Sequence, residues 1–351
     1  MRLAPSRAEN RARSYACPTR EAILKSNTVF TMSNFWEKLS KPFFALAPMA
    51  DVTDASFRRI ICKYGKPDIF WTEFVSADGL ASPGREALKI DLIYTEGERP
   101  IVAQLFSAHP EKMREASKLC AELGFDGIDI KMGCPDRSIE KQGAGAAMMK
   151  NQKSAGDIIQ AVKDGITDAG KNIPVSVKTR VGYNKVQIDE WIPFLLSQGL
   201  DALTIHARTR KEMSNVPARW EHVREVVEIR NKMGVKTKIL GNGDVRNIAE
   251  ARARVEETGC DGVMLGRAIF GNPWLFAERE PSIEEKLRVM CEHTKLYEEL
   301  LGKYKNFAIM KKHYKAYVNG FDGAKELRVK LMECNNASEI KDIVDNFLAG
   351  L

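Results

Sequence analysis

The sequence predicts an α/β protein: a (β/α)8 barrel of the TIM type followed by a C-terminal helical bundle. Three observations carry this prediction. Eight short apolar runs recur at 42–49, 69–75, 101–106, 127–134, 175–180, 202–209, 238–244 and 262–268. Helix-length spacers separate them, and beyond residue 282 no strand-like run remains. Runs that are apolar throughout suit parallel strands covered on both faces, and eight strand–helix units close most economically into a barrel. A doubly wound open sheet is the alternative. It normally carries fewer strands and a first-turn Gly-x-Gly-x-x-Gly, which is absent after Met49.

In chain order, residues 1–34 precede the first strand as an extension. Residues 1–31 hold Arg2, Arg7, Arg11, Arg13, Arg20 and Lys25 against Glu9 and Glu21, a net +4 of the formal +7 of the chain. The segment lacks the apolar stretch of a secretory signal, and no run reaches transmembrane length. Arg-rich and acid-poor, it suits either an organellar presequence or a flexible tail ahead of a natural start at Met32. The plainer second reading, in a cytoplasmic protein, is adopted.

Residues 35–281 form the predicted barrel. Its clearest spacers open on polar residues and close on glycine, as helix termini require: 111–123 before Gly124, 155–169 before Gly170, 190–197 before Gly199 and 247–258 before Gly259. Residues 282–351 read as four amphipathic helices, at 283–301, 307–318, 323–333 and 338–348. Within this part, residues 303–330 carry a net +6, and Lys311-Lys312-His313-Tyr314-Lys315 interleaves base and aromatic. Such a face is either a solvated surface or a nucleic-acid footprint. The seven cysteines are odd in number and scattered, without a Cys-x-x-Cys pair, and no histidine pair has metal spacing. The expectation is a reducing compartment, no disulfide framework and no metal.

Barrel chemistry sits at the C-terminal mouth. The runs end there in Pro48-Met49-Ala50, Glu73, Gln104, Cys134, Lys178 with Arg180, His206 with Arg208 and Arg210, Asn242-Gly243-Asp244, and Gly266-Arg267. Each alone has a packing or capping explanation; eight together point to a ligand. Gly133-Cys134-Pro135 lifts a thiol to the lip of a strand, and the small residues of 142–148 allow close backbone approach. Glycines after strands seven and eight suit a phosphate. Lys178, His206 and Gln104 would border an electron-rich ring, where a lysine stabilises an anionic reduced flavin. No Walker lysine motif, His-Glu-x-x-His or Ser-His-Asp arrangement is present.

Taken in order, these residues resemble the tRNA-dihydrouridine synthases. The resemblance rests on Ala47-Pro48-Met49-Ala50-Asp51, Thr72-Glu73-Phe74, Gln104-Leu105-Phe106, Met132-Gly133-Cys134-Pro135, Val177-Lys178-Thr179-Arg180, Ile205-His206-Ala207-Arg208-Thr209-Arg210, Gly241-Asn242-Gly243-Asp244 and Leu265-Gly266-Arg267. It covers residues 42–276 and extends more weakly to Met310-Lys311-Lys312-His313. It implies reduction of particular tRNA uridines to dihydrouridine with FMN as cofactor and NADPH as reductant, by a monomer that needs neither metal nor membrane. Cys134 would be the general acid. Pro48, Met49, Ala50, Gln104, Lys178, His206, Asn242, Gly243, Asp244, Gly266 and Arg267 would hold FMN. Glu73, Lys131, Arg180, Arg208, Arg210, Lys311, Lys312, His313 and Lys315 would meet uridine or tRNA. Two departures stand out: Lys131 where that family has asparagine, and residues 211–216 in place of an aromatic-glycine loop. Two other functions compete. One is a flavin barrel for a free pyrimidine, like the dihydroorotate dehydrogenases; the other is a catalytically impaired tRNA-binding barrel.

Overall fold

A computed structural model describes residues 34–350. The expectations for residues 1–33 lie outside the described residues.

Eight parallel strands follow one another around a sheet: β1 (Phe43–Leu46), β2 (Phe70–Ser76), β3 (Ile101–Phe106), β4 (Gly127–Met132), β5 (Val175–Arg180), β6 (Ala202–His206), β7 (Lys238–Asn242) and β8 (Gly262–Leu265). β1 pairs with β8, and an Ala45–Ile69 bridge joins β1 to the approach of β2, closing the barrel. Every predicted run holds a strand, and only β2 outruns its prediction, by one residue at Ser76. Five runs end earlier than predicted, because residues 47–49, 133–134, 207–209, 243–244 and Gly266 have already turned into loops and residues 267–268 into a 3-10 turn. Those residues include eight of the predicted site: Pro48, Met49, Cys134, Arg208, Gly243, Asp244, Gly266 and Arg267.

The period-2 alternation of the strands makes two cores. Outward residues such as Ile128, Ile130, Val177 and Ile205 pack under the helices. Inward residues form a second cluster of Phe43, Ala45, Trp71, Val102, Ala202, Leu240 and Met264. Trp36 seals it, with ring centroids 5.7 Å from Phe43 and 6.1 Å from Trp71. One layer nearer the mouth, the inward positions turn polar: Gln104, Asp129, Ser176, Lys178, Thr204, His206 and Asn242. An apolar plug below and a polar layer above are what a barrel needs to present chemistry at one end only.

The helices are α1 (Ala55–Tyr64), α2 (Ala77–Leu80), α3 (Arg85–Leu88), α4 (Pro110–Glu122), α5 (Arg137–Lys141), α6 (Gln152–Asp168), α7 (Ile188–Ser197), α8 (Glu221–Met233), α9 (Ile248–Thr258), α10 (Ile283–Leu301), α11 (Met310–Tyr317), α12 (Ala324–Glu333) and α13 (Ala337–Leu348). The repeat is less regular than eight equal units. Two single-turn helices, α2 and α3, stand between β2 and β3, and only short 3-10 turns separate β8 from α10. α10 packs on α1 as well as on α11 and α13, so one apolar core runs from the barrel wall into the C-terminal helices.

Candidate functional site at the barrel mouth

A cavity of about 680 Å³ opens where the strands end. Its construction starts beneath the floor with Asp129, wholly buried, accepting hydrogen bonds from Gln104 Nε2 (2.7 Å) and Ser176 Oγ (2.6 Å). Burial pushes the Asp129 carboxyl up, against those two donors. The other amide atom of Gln104, Oε1, is buried without a partner among the described residues. Lys178 Nζ donates to Asn242 Oδ1 (2.9 Å), whose Nδ2 donates to the Met264 carbonyl (2.8 Å), so β5, β7 and β8 orient one another.

Lys178 and Lys131 occupy paired positions on β5 and β4. Both are half-buried in the cavity wall. Burial, then the charge of Lys131, then Arg180 push Lys178 down to about 7. Burial likewise pushes Lys131 down to about 8. The Lys131 Nζ rests 3.4 Å from the centroid of the Phe74 ring, a contact that partly offsets lost hydration.

The opposite wall is a charged relay. Arg208 donates to His206 Nε2 (3.0 Å) and to Asp244, which also accepts from Arg267 (2.6 Å). Burial, followed by Arg180, Lys178 and Arg208, holds His206 far below the usual imidazole range. The ring is therefore neutral, and an Nε2 that accepts leaves the proton on Nδ1. Gly243 has φ 135°, and a Cβ there would come within 2.7 Å of Ala218 and 3.4 Å of His206. Only glycine fits this position, and its backbone lines the cavity.

Cys134 stands half-buried on the lip, on a turn clamped from both sides. Arg180 Nε donates to the Gly133 carbonyl (2.9 Å), and Ala146 N donates to the Cys134 carbonyl (2.9 Å). Gly145, at φ 62°, lies so close that a Cβ would sit 3.1 Å from that of Cys134. The small residues of 142–148 thus serve as the backing of the cysteine turn.

Most predicted site residues converge here. Pro48, Met49, Lys131, Cys134, Lys178, Arg180, His206, Arg208, Asn242, Gly243, Asp244, Gly266 and Arg267 line the cavity. Gln104 lies below the floor, and Ala50 is exposed outside the lining. Others fall elsewhere. Glu73 is buried and engaged by Lys305 (2.7 Å) and by the Asp51 backbone, which leaves it no free face for a substrate. Arg210 is committed to Glu140. His313, expected at a tRNA surface, has no exposed area: it sits among Phe57, Phe270 and His293, with centroid separations of 4.9, 6.0 and 4.7 Å. An RNA contact by that ring is corrected to a core position. Lys311 is partly exposed, while Lys312 and Lys315 are exposed, with Lys312 3.9 Å from Asp51.

Sequence reasoning missed Ser214 and Arg246, which also line the cavity, and the inward role of Lys305. Arg246 could have been found two residues after Asp244; nothing local marks Lys305. Among the described residues, no group of three or more His, Cys, Asp and Glu could hold a metal ion, and no helix is long and apolar enough to cross a membrane.

Comparison with known proteins adds a family to this geometry. The model of the dihydrouridine synthase (Dus) family matches residues 45–349. A probable tRNA-dihydrouridine synthase 2 of Bacillus subtilis (strain 168) is 39% identical over 320 residues, covering 90% of this chain and 96% of that protein. A probable tRNA-dihydrouridine synthase of Staphylococcus aureus (strain MRSA252) is 38% identical over 323 residues, with the same two coverages. Among solved structures, histamine dehydrogenase from Rhizobium sp. 4-9 is a remote likeness, with a TM-score of 0.48 at 12% identity, over 72% of this chain and 48% of that one.

Proposed function

The chain belongs to the dihydrouridine synthase family, and on that premise we propose that it reduces uridines in tRNA to 5,6-dihydrouridine, with FMN in the barrel mouth and NADPH as reductant. The single observation that carries this reading is the clamped thiol of Cys134 on the lip of a cationic cavity. The residues present fit FMN. The partnerless Oε1 of Gln104 offers an acceptor to a ring N–H, Gly243 and Gly266 leave backbone open to a phosphate, and Lys178, Arg267 and Arg246 supply positive charge. FMN when bound would supply the hydride for C6 of the uracil.

The protein's part is placement and proton transfer. Lys178, fixed by Asn242, places a cation where negative charge grows during reduction. Neutral His206, fixed by Arg208, offers its Nδ1–H as a donor. Cys134 gives its proton to uracil C5 once that carbon has become electron-rich. The uridine must leave its stack to reach the cavity, at a cost of a few kcal/mol that is smallest in an already disturbed loop. In this reading residues 35–281 hold the cofactor. Residues 282–351 hold tRNA, through exposed bases such as Lys315 that attract phosphates.

The test is Cys134→Ala. It should purify yellow with the wild-type flavin content and form dihydrouridine about 10²–10⁴-fold more slowly, the usual worth of a general acid. Undiminished product would refute the acid role. NADPH oxidation tenfold faster with free uracil or orotate than with dihydrouridine-free tRNA would overturn the substrate.

A further inference from the structure

The loop after β6, residues 211–216, has no task in the reaction proposed above, yet it borders the site. Ser214 lines the cavity, and the residue before it, Met213, is 45% exposed. Among the large apolar side chains that the described residues leave exposed, Met213 alone adjoins a residue of the cavity lining. A lone surface methionine is ordinary. This one is held against its own backbone preference. Its φ is 52°, a left-handed conformation that strains a side chain of this size and persists only where the surroundings impose it.

The surroundings are a set of guanidinium clamps. Arg180 Nη1 donates to the carbonyls of Thr209 (3.1 Å) and Met213 (3.0 Å). Arg208 Nε donates to the Val216 carbonyl (2.6 Å) on the far side of the exposed tip. Inside the loop, Glu212 accepts from Arg219 at 2.7 and 3.0 Å and from the Thr209 N–H at 2.7 Å. Arg180 also donates through Nε to the Gly133 carbonyl, so one guanidinium fixes the Met213 turn and the cysteine turn relative to each other. The loop is a braced rim.

The charges beside it point to the occupant. From 208 to 219 the chain carries Arg208, Arg210, Lys211 and Arg219 against Glu212 alone. Arg210 is paired with Glu140, whereas Lys211 is exposed and has no ion pair among the described residues. An apolar tip with an unpaired cation two positions earlier suits a nucleobase face together with its phosphate.

We infer that Met213 is the wedge that fills the gap left in the tRNA stack when the target uridine turns into the cavity. The inference rests on the reduction proposed above, which requires that uridine to leave its stack. Apolar side chains, methionine among them, hold unstacked base steps apart in this way. Bracing the loop in advance removes an ordering cost that RNA binding would otherwise meet.

The experiment compares the full-length wild-type holoenzyme with Met213→Ala and Met213→Leu. Both variants keep a Cβ, so the backbone strain at this position stays constant. Fluorescence anisotropy reads binding of folded tRNA lacking dihydrouridine and of unstructured oligouridylate, which has no stack to open. Met213→Ala should bind tRNA about tenfold more weakly, a minor share of what one unstacked step costs, and lose much less on oligouridylate. The loss on tRNA should be the same at low and high salt, because no phosphate contact is removed. Met213→Leu, close to methionine in volume, should bind tRNA like wild type. Flavin content and thermal midpoint should match wild type in both variants, as for an exposed side chain. Equal affinity of wild type and Met213→Ala for tRNA, or equal loss on the two RNAs, would overturn the inference. If wild type still forms dihydrouridine, the proposed function stands and only the wedge falls. A wild type that forms no dihydrouridine in tRNA removes the function, and the wedge with it.

Discussion

The barrel mouth and the seam between barrel and C-terminal helices both bury basic side chains, and they treat them in opposite ways. At the mouth, Lys131 and Lys178 meet an aromatic ring and an amide oxygen, and burial pushes both down. At the seam, Lys305 meets Glu73 at 2.7 Å and Asp91 at 2.6 Å; burial works against its charge, but the two carboxylates outweigh it and hold the amine above its ordinary value. One lysine is fixed as a cation. The other two are left close to their titration points, where their charge can answer to what enters the cavity. The seam is built to hold and the mouth to respond.

The most forceful way to break this comparison is Lys305→Met. Removing one partner of a buried ion group leaves the others uncompensated. Here Glu73 would be stranded at 5% side-chain exposure and Asp91 at 18%. The variant should lose about 3 kcal/mol in denaturant unfolding, the lower end for a broken buried pair. Glu73 also accepts from the Asp51 backbone, in the loop that continues from the cavity-lining Met49. The loss should therefore be accompanied by weaker flavin retention. A stability change within 0.5 kcal/mol, the range of ordinary surface substitutions, would show that the seam does not depend on this ion triad.

A smaller effect separates the regions by pH. His313 is pushed down to about 3 by burial, and His293, packed against it, also lies far below the imidazole range. A histidine whose folded value is depressed contributes stability that is present above its unfolded value near 6.5 and lost as pH falls below it. At pH 5 that amounts to about 2 kcal/mol for His313. The mouth lysines lie below their unfolded values near 10.4, so their contribution changes on the other side: stability rises as pH climbs from about 7 toward 10. His313→Phe should flatten the acid limb by about 2 kcal/mol at pH 5 and leave the alkaline limb unchanged, as read by urea midpoints across pH. An unchanged acid limb would mean that the ring is not held neutral.

What could be read from the sequence follows the same division. The cysteine turn and the glycine loops after β7 and β8 are local: Gly133, Pro135, Gly145 and Gly243 declare their backbone needs within a few residues of the groups they position. The seam is made by residues far apart, and Lys305 and Glu73 are separated by 232 positions. No local pattern could turn Lys305 from a surface base into a buried partner. His313 is a different failure, because its signal was present. Met310, His313, Tyr314 and Tyr317 recur at helical spacing and form the buried face of α11, while Lys312 and Lys315 point to solvent. The alternation of base and aromatic resembles one motif along the sequence and is two faces of the helix.

The smallest effect comes from that solvent face. Lys315 is exposed on α11 and has no salt-bridge partner among the described residues. Its ammonium is therefore not tied to carboxylates as that of Lys305 is. Lys315→Ala should leave the thermal midpoint unchanged, since surface substitutions away from such features are close to neutral. If the face holds tRNA, the variant should bind it more weakly at low salt. The slope of log affinity against log salt should shrink by about 0.7–0.9, the contribution of a single phosphate contact. The measurement is a salt titration of tRNA binding on wild type and variant, with flavin content checked in both. An identical slope would place the tRNA on another face and leave α11 only the seam, where Tyr317 and His313 already hold it.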